Sequence, residues 1–94
     1  MRTKNYTFEN INYELINNYK DGFDKATVES LITDYFKDYD YIVGDWSYGK
    51  LRLKGFCNKD NDIYKPINDI ENLKKYLEEN CPFNCKYFVL KRLD

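Results

Sequence analysis

The chain has 94 residues, 43% hydrophobic and 33% charged, a composition that supports one modest core and excludes intrinsic disorder. Fifteen Lys and Arg against sixteen Asp and Glu leave a net charge of −1, which excludes bulk electrostatic adhesion to nucleic acid, because proteins that bind that way are basic overall. There is no histidine, so Ser-His and Cys-His nucleophile pairs, imidazole acid–base catalysis and His-ligated zinc are excluded as well.

In chain order, Tyr6 and Phe8 alternate with polar residues, Glu9-Asn10 offers a turn in which Asn10 tolerates positive φ, and Ile11, Tyr13 and Leu15 resume the alternation, with Ile16 on the opposite face. This predicts a hairpin that is broken off at Asp21-Gly22. Asp24 is a good N-cap. Val28, Leu31, Ile32, Tyr35, Phe36 and Tyr39 then recur at helical spacing, which predicts a helix over 24–38 with that face buried.

Tyr41, Ile42 and Val43 open a strand over 41–46, and 47–50 (SYGK) is a turn with Gly49 suited to the left-handed region. In 50–56, Leu51, Leu53 and Gly55 alternate against Lys50, Arg52, Lys54 and Phe56. The two runs predict an antiparallel hairpin. Residues 57–65 are polar and read as a loop. Asn68 with Glu71 three residues on has the capping-box pattern and opens a second helix over 69–80, with Ile70, Leu73, Tyr76 and Leu77 as its apolar stripe. In KYFVLKRL (86–93) the unbroken YFVL predicts a central strand covered on both faces. The order β-β-α-β-β-α-β predicts a single α+β domain over 1–94, a mostly antiparallel sheet covered by two helices. No apolar run approaches the ~18 residues of a membrane span, and MRTKNYTFEN has no signal-peptide core; neither membrane insertion nor secretion is expected.

At DYDYIVGDWSYGKLRLKGF (38–56), and again at NCPFNCKYFVLKR (80–92), the chain resembles the YutD-like family of small cytosolic proteins from low-GC Gram-positive bacteria. INYELI (11–16) and DGFD (21–24) match in order and spacing too. The resemblance implies a small α+β fold, a cytoplasmic location and bacterial origin. It implies no substrate, cofactor or catalytic residue, because the family's function is unknown.

Three groups of residues carry chemistry. Cys57, Cys81 and Cys85 are odd in number, and reduced, metal-free thiols are expected. The Cys81-x3-Cys85 spacing also suits a zinc or redox pair, but no histidine is available to complete a zinc site. Asp40 and Asp45 sit beside Gly44 and Trp46. A carboxylate there could gain a raised pKa and act as acid or base; the reading preferred here is a turn or cap for Asp40 and a cross-hairpin pair with Lys50 or Arg52 for Asp45. Lys50, Arg52 and Lys54 share a strand face, with Trp46, Tyr48 and Phe56 close by. Such interleaving can track phosphates and stack bases, and Lys86, Lys91 and Arg92 could extend it. The residues expected to bind are therefore Asp45, Trp46, Tyr48, Lys50, Arg52 and Lys54. The expected activity is protein–protein interaction through the 44–56 hairpin, with RNA binding through Lys50, Arg52 and Lys54 as the alternative. No enzyme activity, metal, cofactor or membrane partner is expected.

Overall fold

The computed structural model describes residues 4–80 and 85–93. Strands β1 (Lys4–Phe8), β2 (Ile11–Tyr19), β3 (Tyr41–Ser47), β4 (Lys50–Phe56) and β5 (Tyr87–Arg92) alternate with helices α1 (Lys25–Leu31) and α2 (Leu73–Asn80) in the predicted order. The strands form one sheet in the order β1-β2-β5-β3-β4, and every neighbouring pair is antiparallel. This is the α+β architecture read from the apolar periods.

The last strand in sequence is the middle strand in space, because β5 pairs with both β2 and β3. Its alternate side chains therefore enter two cores. Phe88 and Leu90 join Val28, Ile32, Phe36 and Ile42 beneath α1, while Val89 joins Val43 and Phe56 beneath α2. Burying a large apolar side chain of this kind contributes about 2 kcal/mol, so YFVL ties both helices to the sheet. Gly44 makes room for this arrangement. A Cβ there would lie 2.2 Å from the Phe88 ring.

The first predicted helix is cut short. Asp24 caps it as expected, its Oδ1 accepting from Thr27 N–H at 3.4 Å, but α1 ends at Leu31. Ile32 is extended (φ −74°, ψ 136°), and a 3₁₀ turn follows at Asp34–Phe36, capped by the Thr33 hydroxyl. Two consecutive β-branched residues weaken the helix there, and Thr33 offers the next amide a local partner. The break rotates the apolar stripe. Val28, Ile32 and Phe36 remain buried, while Leu31 and Tyr35 turn to water at 42% and 67% exposure.

The second helix also starts late. Two 3₁₀ turns, Pro66–Asn68 and Ile70–Asn72, precede α2. The capping carboxylate is Asp69, which accepts from Glu71 N–H at 2.9 Å, not Asn68, whose Oδ1 accepts from Lys65 N–H at 2.8 Å. β2 runs on to Tyr19, past the end of its alternation, with a register shift between Leu15 and Asn17 that leaves Ile16 exposed. Among the described residues no helix is long and apolar enough to cross a membrane.

Candidate functional site

The β3–β4 hairpin is built by a two-residue tip. Ser47 pairs with Lys50, and the intervening Tyr48 and Gly49 both have positive φ, 52° and 78°, as a type I′ turn requires. Gly49 suits that conformation. Tyr48 does not, because a Cβ at positive φ crowds the backbone. Its side chain stands 94% exposed.

Below the tip, polar residues tie the hairpin to the rest of the fold. Asp45 is 1% exposed. Arg52, its register partner across the hairpin, donates to Asp45 Oδ1 from Nε at 2.8 Å, and its Nη2 lies 2.8 Å from the same oxygen. The Tyr76 hydroxyl donates to Asp45 Oδ2 at 3.4 Å, and Arg52 Nη2 donates to the Asn80 carbonyl at 2.7 Å. One buried carboxylate and one guanidinium thus hold the middle and the C-terminal end of α2 against the hairpin. Burial, followed by the negative charge of Asp45, pushes the Tyr76 phenol above its ordinary pKa.

The other expected site residues divide in the same way. Trp46 Nε1 donates to the Gly22 carbonyl at 2.7 Å, and the Lys86 ammonium lies 5.1 Å from its ring centre. Lys54 sits over the rings of Phe56 and Tyr76, at 5.3 and 5.7 Å. Lys50 is exposed beside Tyr48. All six expected residues therefore share one hairpin. Tyr48 and Lys50 form its outward tip, while Asp45, Trp46, Arg52 and Lys54 are engaged within the fold. The basic stripe does not extend as the sequence suggested. β3 separates β5 from β4, and Arg92 lies at the opposite end of the sheet.

There Arg92 meets Asp40 at 3.5 Å. Asp40 Oδ2 also accepts from Asn58 N–H at 2.8 Å and from Asn61 Nδ2 at 3.1 Å. The 57–65 loop is thereby folded back to form an open cleft of about 550 Å³, lined by Asp38, Asp40, Asp60, Asn61, Asp62 and Arg92 among others. Sequence reasoning missed this cleft. The available signal was the repeated Asp-x-Asp spacing at 38–40 and 60–62. Among the described residues no group of His, Cys, Asp or Glu is placed to share a metal ion.

The expectation of three reduced thiols is corrected at one position. Cys85 is disulfide-bonded, whereas Cys57 is free and buried, and burial pushes its thiol pKa up. Cys81 lies outside the described residues.

The fold and site define a small α+β protein whose most exposed aromatic among the described residues, Tyr48, rides on a braced hairpin. The family model described as "Putative antitoxin YutD-like" matches residues 7–91, and the chain belongs to this YutD-like family. It is 46% identical over 85 residues to "Putative antitoxin YutD" of Bacillus subtilis (strain 168), a match that spans 90% of this chain and 93% of that relative. The solution NMR structure of protein yutD from B. subtilis superimposes with a TM-score of 0.80 at 43% identity, covering 96% of this chain and 82% of that one.

Proposed function

We propose that this chain is a non-catalytic cytosolic binding domain that docks on a partner protein through the tip of the β3–β4 hairpin. The observation that carries the reading is Tyr48. Turn chemistry at a type I′ position favours Asn, Asp or Gly, yet an exposed tyrosine occupies it. Exposed aromatics held at a fixed place are the commonest energetic anchors of protein interfaces. Lys50 beside it adds one cation, which suits an acidic rim on the partner. The name of the B. subtilis relative supports a partner whose harmful activity the domain restrains.

Catalysis finds no support in Asp45, the carboxylate of the hairpin, since both of its oxygens are taken by Arg52 and Tyr76. RNA binding finds less support than protein binding, since Arg52 and Lys54 are engaged within the fold. The test is affinity capture by the tagged chain from its host's lysate, with and without nuclease, in wild type and Tyr48→Asn. A protein retained after nuclease and weakened about thirtyfold or more by the substitution is expected, as for an interface hot spot. Equal retention by both chains, or capture that nuclease abolishes, overturns the reading.

A further inference from the structure

β4 is the last strand of the sheet, and its outer edge has a defined pattern. With a two-residue tip, Ser47 and Lys50 exchange hydrogen bonds, as do Asp45 with Arg52 and Val43 with Lys54. The N–H and C=O groups of Leu51 and Leu53 consequently point away from β3. Among the described residues nothing hydrogen-bonds to them.

The same row of groups already takes a strand further along. Cys57 N–H donates to the Asn68 carbonyl at 2.8 Å, and the Cys57 carbonyl accepts from Ile70 N–H at 3.0 Å. This forms an isolated parallel bridge to Asp69, and the 3₁₀ turn at Pro66–Asn68 immediately before it keeps the preceding chain off the edge. Proteins usually blunt open edges with charged side chains, proline, bulges or covering segments, and of these β4 carries the charges, Lys50, Arg52 and Lys54. Over 50–56 β4 has no proline, and its register with β3 is unbroken. Exposed Tyr48 at one end and Ile67, 76% exposed, in the turn near the other bracket the open stretch.

We propose that the outer edge of β4 accepts an extended segment of the partner protein as a sixth strand, one that alternates acidic and apolar side chains. The inference rests on the protein-docking reading above and specifies its mode. Main-chain bonds to Leu51 and Leu53 supply the pairing, as in other strand-addition complexes. The alternation follows from the two faces of β4. Exposed Lys50, and Lys54, which lies over rings but has no carboxylate partner among the described residues, share one face with the Asp45-paired Arg52 and call for acidic neighbours. Leu51 and Leu53 share the other face and call for apolar ones. A second copy of this chain does not fit, because antiparallel β4-on-β4 pairing would oppose this basic row with itself.

The test pans a random displayed peptide library on the full chain and follows amide hydrogen exchange with the selected peptides. The expected result is a set of alternating acidic–apolar peptides that slow exchange at Leu51 and Leu53 by about tenfold or more. Lys50→Glu should weaken them about fivefold, as when a cross-strand ion pair becomes a like-charge pair. Selection of no peptide, protection confined to other amides, or concentration-dependent protection without peptide from a dimer of the chain overturns the edge proposal. The hairpin-docking reading falls separately, on the Tyr48→Asn capture experiment, so the two failures are distinguishable.

Discussion

Two Asp–Arg pairs bracket β3, and they differ in almost everything but composition. Asp45 and Arg52 meet across the hairpin at 2.8 Å with the carboxylate 1% exposed, whereas Asp40 and Arg92 meet at 3.5 Å with both side chains about one-fifth exposed. Asp45 has given up its water, and its charge is satisfied by a guanidinium and a phenol from named positions. Asp40 stands beside an open cleft and divides itself among Arg92, Asn58 and Asn61. The first pair fixes how α2 sits on the sheet. The second arranges a surface loop, with water available to replace any lost partner. The same two residue types are therefore a structural pin in one place and a loop fastener in the other.

The sharpest way to break the comparison is to remove one arginine at a time. Arg52→Ala leaves Asp45 buried without its cation, a change that costs roughly 3–5 kcal/mol for a fully enclosed pair. The Arg52 side chain keeps 45% exposure, so about 2–3 kcal/mol is expected here. Urea unfolding should show it as a lower midpoint with an unchanged slope. Arg92→Ala should cost about 1 kcal/mol, because water can take over at Asp40. Equal losses at the two sites would erase the distinction drawn between them.

These pairs also mark how far the sequence could be read. The 41–56 hairpin, with Gly49 at its tip, follows from period-2 alternation and turn chemistry, both of which are local. That Asp45 would face Lys50 or Arg52 was legible too, and the register selects Arg52. The central place of β5 follows from its unbroken YFVL. The end of α1 was not legible, because Leu31 and Tyr35 fit the helical stripe and only the tertiary choice at Ile32-Thr33 turns them out. The further contacts of Arg52 and Lys54 with α2 were hidden, since they depend on Asn80 and Tyr76, more than twenty residues away in sequence. The Asp40 cleft joins three separated segments, and no periodicity announces such a meeting.

The two sites also differ in whether they hold a titrating phenol. Tyr76 beside Asp45 has a raised pKa from burial and from the carboxylate charge. A raised folded-state value means its contribution to stability is complete below the unfolded phenol pKa of about 10 and is lost as pH rises through the higher folded value. Wild-type stability should therefore fall more steeply above pH ~10 than that of Tyr76→Phe. At neutral pH the same substitution should cost about 0.5–1 kcal/mol, since it removes one long hydrogen bond. Denaturant melts of both chains across this range measure the difference. Parallel curves would mean that Tyr76 does not couple to the buried carboxylate.

The smallest effect on stability is expected at the hairpin tip, and its sign is the informative part. The other two-residue tip of the sheet, Glu9-Asn10, also has both residues at positive φ, 50° and 64°, and uses polar residues throughout. Tyr48 departs from that pattern without packing on anything that would compensate, at 94% exposure. Tyr48→Asn creates the Asn-Gly pair that a type I′ turn prefers, so it should raise stability by about 0.5 kcal/mol. The β3–β4 register and the Asp45–Arg52 pair lie below the tip and should be unchanged, as amide chemical shifts of residues 43–46 and 51–54 would report. A chain that gains stability while losing its partner would show that Tyr48 is retained for contact at the expense of the turn. A chain that loses stability would instead assign Tyr48 to the fold, and would remove the reason for seeking a partner at this tip.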